Sequence, residues 1–364
     1  MDLVQAAIDE LLEREATSLA RISPDLGRMH AVARDLLAGG KRFRALFAYW
    51  GWQSVAGLTD GAELLDVEAP DHGPIVAIAS SLEVFHAAAL VHDDIMDNSD
   101  LRRGRPSAHR QFEAQHREAG WDGAPERHGE AAALLLGDLL LGWSDELFDH
   151  GVRTNPDPAA AWAARDEFAR MRTEVTVGQY LDILEEDSWR HRDEAELLTR
   201  AQRVVVYKSA KYSVEAPLAI GAALAGADAA QLAALRAFGL PLGVAFQLRD
   251  DLLGVFGDPE LTGKPAGDDL REGKRTVLVT LARRRLPASA RRLVDELLGD
   301  PELDAAQIAM LQSAVRDSGA VADVERLIER EVGTALAALV DAPLTRAARD
   351  RLAELAAAVT ARSA

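Results

Sequence analysis

Two carboxylates at the unfavourable end of a helix constrain this chain more than any other feature. The stretch from His86 to Arg105, His-Ala-Ala-Ala-Leu-Val-His-Asp-Asp-Ile-Met-Asp-Asn-Ser-Asp-Leu-Arg-Arg-Gly-Arg, closes an apolar run, Ile75 to Leu90, that reads as a buried helix. At about 100° per residue, Asp93 and Asp97 fall on one face, one turn apart. Acids favour helix N-termini, and at a C-terminal end the macrodipole opposes them. Two such carboxylates repel each other unless something positive lies between them. Hard oxygen ligands with coordination positions left open suit Mg²⁺ held jointly with a phosphate. Arg102 and Arg103 follow within a few residues, and guanidinium forks are bidentate partners of phosphate oxygens. These residues therefore imply a site at which a metal bridges the protein to a diphosphate.

The remainder of the chain points to helices. Ala and Leu dominate, aromatics are few, and no low-complexity run appears, which predicts an all-α protein. The net charge of −18, from 59 acidic against 41 basic residues, argues against a nucleic-acid surface, so local cations or metal must hold an anionic substrate. There is no cysteine, which excludes disulfides and thiol chemistry. The N-terminus is amphipathic and acidic, unlike a signal peptide. The longest charge-free apolar runs, such as Ala216 to Ala227, are too short to span a bilayer, so a cytoplasmic protein without stable membrane insertion is expected.

Periodicity predicts helices over about Leu3–Ala20, Leu26–Leu37, Glu130–Phe148 and Ala159–Glu186, and further core helix from Ala216 to Phe246, broken near Gly239 and Pro241. Gly39-Gly40-Lys41-Arg42-Phe43-Arg44 opens another helix. Two glycines before a basic helix start form an anion site in outline. His86 lies seven residues before Asp93, on nearly the same face, and His92 adjoins the acids as packing or as their partner. Asp138 is the one interior acid of its helix, either a buried cap or a residue behind the site. Gln179 and Asp182, on an apolar face, need partners if buried. Lys208 follows the run Val204-Val-Val-Tyr207 and is costly to bury unless it meets an anion. A second acidic cluster, Phe246-Gln247-Leu-Arg-Asp250-Asp251, precedes Gly263-Lys264-Pro265, Gly267-Asp268-Asp269-Leu270 and Gly273-Lys274-Arg275-Thr276.

His-Asp-Asp-x-x-Asp followed by Leu-Arg-Arg-Gly resembles the first aspartate-rich motif of the trans-isoprenyl diphosphate synthases, the polyprenyl synthetase family. The second cluster and its trailing motifs are similar to that family's second region, and the match covers about residues 35 to 280. The resemblance implies a single-domain helical bundle, residues 1–364, around a deep central cavity across which the two motifs face each other. It implies Mg²⁺-dependent head-to-tail condensation of isopentenyl diphosphate with an allylic diphosphate, carried out by a homodimer. By the same resemblance, Asp93, Asp94, Asp97, Asp250 and Asp251 are the metal ligands. Lys208, Gln247 and Lys264 act on the allylic diphosphate as catalytic residues. Lys41, Arg44, His86, Arg102, Arg103, Ser209 and Lys274 bind substrate. The family usually has proline where this chain has Ala45, and little effect is expected. It commonly has aspartate where this chain has Gly254, which removes a potential ligand that Asp251, Asp268 or water can replace.

Product length follows from helix geometry in the same family. Members that stop at fifteen carbons carry bulky residues four and five positions before the first aspartate. Here those positions are Ala89 and Ala88. Phe85, about 6 Å deeper at the rise of 1.5 Å per residue, is the first bulky obstacle, so geranylgeranyl diphosphate is the expected product. Rival readings are a farnesyl or longer-chain synthase, a terpene cyclase, and a non-catalytic partner subunit of a heteromeric synthase. A cyclase has no use for the second diphosphate site that Gly39 to Arg44 outlines, and only Gly254 favours the partner subunit.

Overall fold

The apolar stretch before the first acidic cluster forms one uninterrupted helix. In the computed structural model, which describes residues 1–57, 71–258 and 266–360, this helix is α4, Gly73–Met96, and Pro74 stands in its first turn. It follows α1 (Asp2–Ile22), α2 (Gly27–Leu37) and α3 (Phe43–Ala56). Next come α5 (Ala108–Ala119), α6 (Pro125–Thr154), α7 (Pro158–Ser188) and α8 (Leu197–Val204). A π-helix over Val205–Glu215 leads into α9 (Ala216–Leu224) and α10 (Ala229–Phe256). After the undescribed residues 259–265 the chain continues through α11 (Asp268–Glu272), α12 (Val277–Arg285), α13 (Ala288–Leu297), α14 (Ala305–Asp317), α15 (Ala320–Leu339) and α16 (Arg346–Thr360). The protein is all-α, as its composition predicts. Among the described residues the only strands are two-residue stubs, β1 (Leu101–Arg102) and β2 (Arg105–Pro106).

The described residues group into two compact units, Met1–Arg165 with Ile220–Ala227, and Asp166–Ala219 with Asp228–Ala364. In the first, α4 lies along α6 over a core that includes Ile75, Ile78, Leu82, Leu136, Leu140 and Phe148, all fully buried. A reciprocal pair of hydroxyls ties the two helices: Ser81 Oγ donates to the Ser144 carbonyl at 2.8 Å, and Ser144 Oγ to the Ser81 carbonyl at 3.0 Å. Each buried hydroxyl is thereby satisfied within the core.

In the second unit, α10 starts at a capping box between Asp228 and Gln231 and packs on the π-helix and on α15. Its core contains Leu248, Leu252, Leu278, Leu311, Val324 and Ile328. The break expected near Gly239 and Pro241 is absent, because α10 runs through both. Phe238 and Leu242 flank the proline and are both fully buried. Burying them is worth about 1.5–3 kcal/mol each, enough to offset the roughly 3 kcal/mol that an interior proline costs.

A second correction concerns apolar length. α4 and α10 are each long and apolar enough to cross a membrane by length and composition, although neither is free of charge, since Glu83 interrupts the one and Arg236 the other. In α4, 78% of that window is buried inside the protein, as in a core helix.

Candidate active site

The C-terminal end of α4 carries the first acidic cluster. Asp93 and Asp97 are both half-buried, and Asp97 caps the helix with its N–H bonded to the Asp93 carbonyl at 2.8 Å. Asp94 is turned inward and fully buried. Its Oδ1 accepts Nε of Arg102 at 2.9 Å and also Nη2 of the same guanidinium, which lies 3.7 Å from Asp93 Oδ2. Asp94 thus anchors Arg102, while Asp93 and Asp97 remain on the more open face.

The Leu-Arg-Arg-Gly-Arg segment forms a hairpin. Arg102 pairs with Arg105, and the two residues between them, Arg103 and Gly104, have φ of 54° and 73°. Two positive φ values in a two-residue loop match the twist of the flanking strands, and glycine at the second position makes this conformation accessible. The turn brings the Arg103 guanidinium to the glycine loop, 3.4 Å from where a Cβ on Gly40 would stand. Arg102, Arg103 and Arg44 all act on His86, whose imidazole is held well below its ordinary pKa, first by burial and then by these three positive charges. Asp93 opposes them. His86 is therefore neutral at pH 7. The structure brings together Gly40, Arg44, His86, Arg102 and Arg103, while Lys41 is exposed at the head of α3.

Arg42, between the two motif cations, has a different job. It is buried in a left-handed backbone conformation, with Nη2 donating to the Leu37 carbonyl at 2.9 Å and to Gln5. Ala45 donates its N–H to the buried carboxylate of Glu83 at 3.0 Å. A proline there has no N–H to give, so alanine at 45 is matched to glutamate at 83, a link that sequence reading missed. His92 sits in a notch on α6: a Cβ on Gly137 would come within 2.2 Å of its Nε2. Asp138, expected as a buried cap or a residue behind the site, has its side chain 61% exposed and 3.5 Å from that same nitrogen. Of the residues expected to set product length, Phe85 and Ala88 are buried, whereas Ala89 is half-buried on the Asp93 side of the helix.

In the second unit, Asp182 of α7 is the hub. Its Oδ2 lies 2.5 Å from Lys208 Nζ and 3.3 Å from Lys274 Nζ, and Lys274 also reaches Glu186 at 3.0 Å. Lys208 and Ser209 lie on the π-helix, a rare winding that recurs at functional sites. Its backbone comes so near α7 that a Cβ on Gly178 would lie 2.5 Å from the Lys208 nitrogen. On α10, Gln247 Nε2 donates to Asp251 Oδ1 at 2.8 Å. Asp251 is 3% exposed, and burial pushes its carboxyl up to about 7; Asp250 and Asp182 add to the rise, and the Gln247 hydrogen bond and Lys208 oppose it. Asp251 Oδ2 is buried without a hydrogen-bond partner. Gly254 adjoins the carboxylate of Asp269, a residue the sequence reading passed over in favour of Asp268. Lys264 lies outside the described residues.

The donors available are hard carboxylate oxygens, one of them buried and without a partner, which fits a hard divalent cation. Among the described residues no three acidic or imidazole groups converge into a cage made of protein alone. Coordination shared with a phosphate-bearing ligand is the arrangement such a donor set permits.

Comparisons with known proteins agree with this chemistry. The model of the Polyprenyl synthetase family matches residues 27–315. A crystal structure of geranylgeranyl pyrophosphate synthase from Corynebacterium glutamicum, complexed with isoprenyl diphosphate and magnesium, superposes with a TM-score of 0.90 at 37% identity, covering 100% of this chain and 98% of that one. Geranylfarnesyl diphosphate synthase of Aeropyrum pernix is 30% identical over 85% of this chain and 86% of its own length. Farnesyl diphosphate synthase of Geobacillus stearothermophilus is 35% identical over 69% of this chain and 75% of its own. The family acts on isopentenyl and allylic diphosphates and uses divalent metal ions. The chain belongs to the polyprenyl synthetase family and is a trans-prenyl diphosphate synthase of the short-chain kind.

Proposed function

We propose that this enzyme makes geranylgeranyl diphosphate, with Mg²⁺ as its metal and a cytoplasmic homodimer as its working form, the whole of residues 1–364 serving as one catalytic domain. The observation that carries the metal assignment is the Asp93–Asp97 pair at the end of α4, beside Arg102 and against the helix dipole. Asp93, Asp97 and Asp250 would hold Mg²⁺, which would supply Lewis-acid neutralisation of the diphosphate leaving group.

The chain's own residues do the rest. Arg102, held by Asp94, brings positive charge to the allylic diphosphate, together with Lys208, Lys264 and Lys274, and Ser209 adds its hydroxyl as a hydrogen-bond donor. Gln247 orients Asp251 through its hydrogen bond. Charge that develops on the departing diphosphate thus meets donors already in place, the electrostatic stabilisation that lowers such a barrier. Lys41, Arg44, Arg103 and the neutral His86 grip isopentenyl diphosphate, and His86 donates a hydrogen bond without adding charge. No side chain among these is an evident general base, which supports proton loss to the released diphosphate.

The twenty-carbon product is supported by small side chains at Ala88 and Ala89 and by the buried Phe85 below them. The test is to incubate the purified chain with isopentenyl diphosphate, each allylic primer and Mg²⁺, and to chromatograph the dephosphorylated products. Diphosphate release that needs both substrates and metal, with geranylgeraniol as the main alcohol, is the expected result. Release from the allylic substrate alone overturns the reading in favour of a cyclase. A fifteen- or twenty-five-carbon main product overturns the length assignment alone.

A further inference from the structure

The second acidic motif has glycine at 254, where the family commonly has an acid. Gly254 follows Asp250 by four residues on α10, so the two positions share a face one turn apart, the same spacing as Asp93 and Asp97 on α4. The space beside Gly254 is filled. A Cβ built there would stand 2.0 Å from Oδ2, 2.3 Å from Cγ and 2.7 Å from Oδ1 of Asp269. A side chain at 254 and the Asp269 carboxylate in its present position cannot share that space, so any residue but glycine at 254 would push the Asp269 side chain aside. The missing side chain makes room for a carboxylate delivered by the next loop.

That loop holds Asp269 in place through its backbone. The short helix α11 lies between Gly267 and Gly273, whose φ values are 75° and 78°. The Asp269 carbonyl accepts the Lys274 N–H at 3.0 Å, and the carbonyl of Leu270, itself 1% exposed, accepts the Gly299 N–H at 2.9 Å. Beside it on α10, Asp251 keeps a buried Oδ2 with no hydrogen-bond partner, an acceptor that a cation bound next to Asp250 would satisfy.

We propose that Asp269 is a metal-ligating residue of this enzyme: its carboxylate takes the place of the acid absent at 254 and, with Asp250, forms the second one-turn pair for the divalent cation. The inference rests on the functional reading above. On this view Gly254 marks a ligand that has moved from the helix to the loop, and the motif retains its full complement of acids. Restoring aspartate at 254 alone would drive two carboxylates into one space.

The test uses the full-length chain and equilibrium dialysis of Mn²⁺ in the presence of inorganic diphosphate, with prenyl transfer measured in parallel. Asp269→Asn is expected to weaken Mn²⁺ retention by about tenfold or more. Gly254→Ala changes no charge but displaces the carboxylate, and a comparable loss is expected. The exchange Gly254→Asp with Asp269→Gly is expected to return Mn²⁺ retention close to wild type. Wild-type retention in both Asp269→Asn and Gly254→Ala, with helical circular dichroism intact, overturns the inference. If either single variant misfolds, the exchange decides: recovery supports the pairing, and a folded exchange variant with weakened retention overturns it. A wild-type chain that retains Mn²⁺ yet forms no prenyl product overturns the functional reading alone.

Discussion

Lys208 Nζ lies 2.5 Å from Asp182 Oδ2, and the same oxygen is within 3.3 Å of Lys274 Nζ. One carboxylate thus holds two of the ammonium groups assigned to the substrate diphosphate. Side chains at this site are mostly buried, so the ammonium groups would be costly to keep in place without it. Asp182→Asn should lower unfolding stability by about 1–3 kcal/mol, less than a fully buried pair would lose, and should raise the allylic KM more than that of isopentenyl diphosphate. Urea titration and steady-state kinetics check both effects. Equal changes in the two KM values would show that Asp182 does not set the allylic site.

The Asp93–Asp97 pair should behave as metal ligands do. Asp93→Asn or Asp97→Asn is expected to cut kcat by about a hundredfold or more while leaving helical circular dichroism unchanged. Removing one of two mutually repelling carboxylates should leave the metal-free protein as stable as wild type or slightly more so. Near-normal turnover in either variant, at saturating substrates, would remove these residues from the metal site.

Product length should respond to the stripe below Asp93. Phe85→Ala is expected to lengthen the product, and Ala89→Phe to shorten it towards fifteen carbons. Phe85 is 5% exposed, so its truncation also costs stability, about 3–5 kcal/mol by analogy with other buried aromatics, and a melting curve must accompany the chromatography. An unchanged distribution in both variants would place the length determinant elsewhere.

His86 should leave a signature in the pH dependence of stability. Burial and Arg44, Arg103 and Arg102 lower its folded-state pKa, whereas in the unfolded chain it titrates near its ordinary value of about 6.5. Below that value the unfolded state binds a proton that the folded state refuses, so the contribution is present above about pH 6.5 and lost as pH falls. The slope approaches about 1.4 kcal/mol per pH unit, and His86→Gln should abolish it. Denaturant titrations at pH 7.5 and 5.5 measure the difference, and identical slopes in wild type and variant would contradict the neutral assignment.

Helical content and the positions of α4, α6 and α7 were legible in the sequence because apolar periodicity over long segments is a local signal. The cationic set around His86 was legible as well, through motif order. What escaped reading was pairwise. Nothing near Ala45 announces that its N–H will meet Glu83, and nothing near Gly254 announces Asp269. Both partnerships join residues on different elements of the chain, and each replaces a side chain or ring that the family pattern led one to look for at a single position. Pro241 failed as a stop signal for a related reason: burial of Phe238 and Leu242 overrides a local preference. The hairpin at Arg103-Gly104 read as a charged loop because two-residue strands carry no periodicity.

The π-helix over Val205–Glu215 has a consequence for how this chain tolerates length changes. A π winding holds more residues per turn than an α-helix, so the segment behaves as an absorbed insertion. Deleting one residue within it would let it rewind as ordinary α-helix. Everything beyond Glu215 would then keep its phase against everything before Val205, whereas one residue lost from an ordinary α-helix such as α4 re-phases the rest by about 100°. What moves is the segment itself: its residues are buried or half-buried, and those that remain, Lys208 and Ser209 among them, would turn about the axis relative to Asp182. The segment should therefore accept a single-codon deletion in fold while losing the placement of Lys208, and alignments that slide a gap through it will attach the role of Lys208 to the wrong residue.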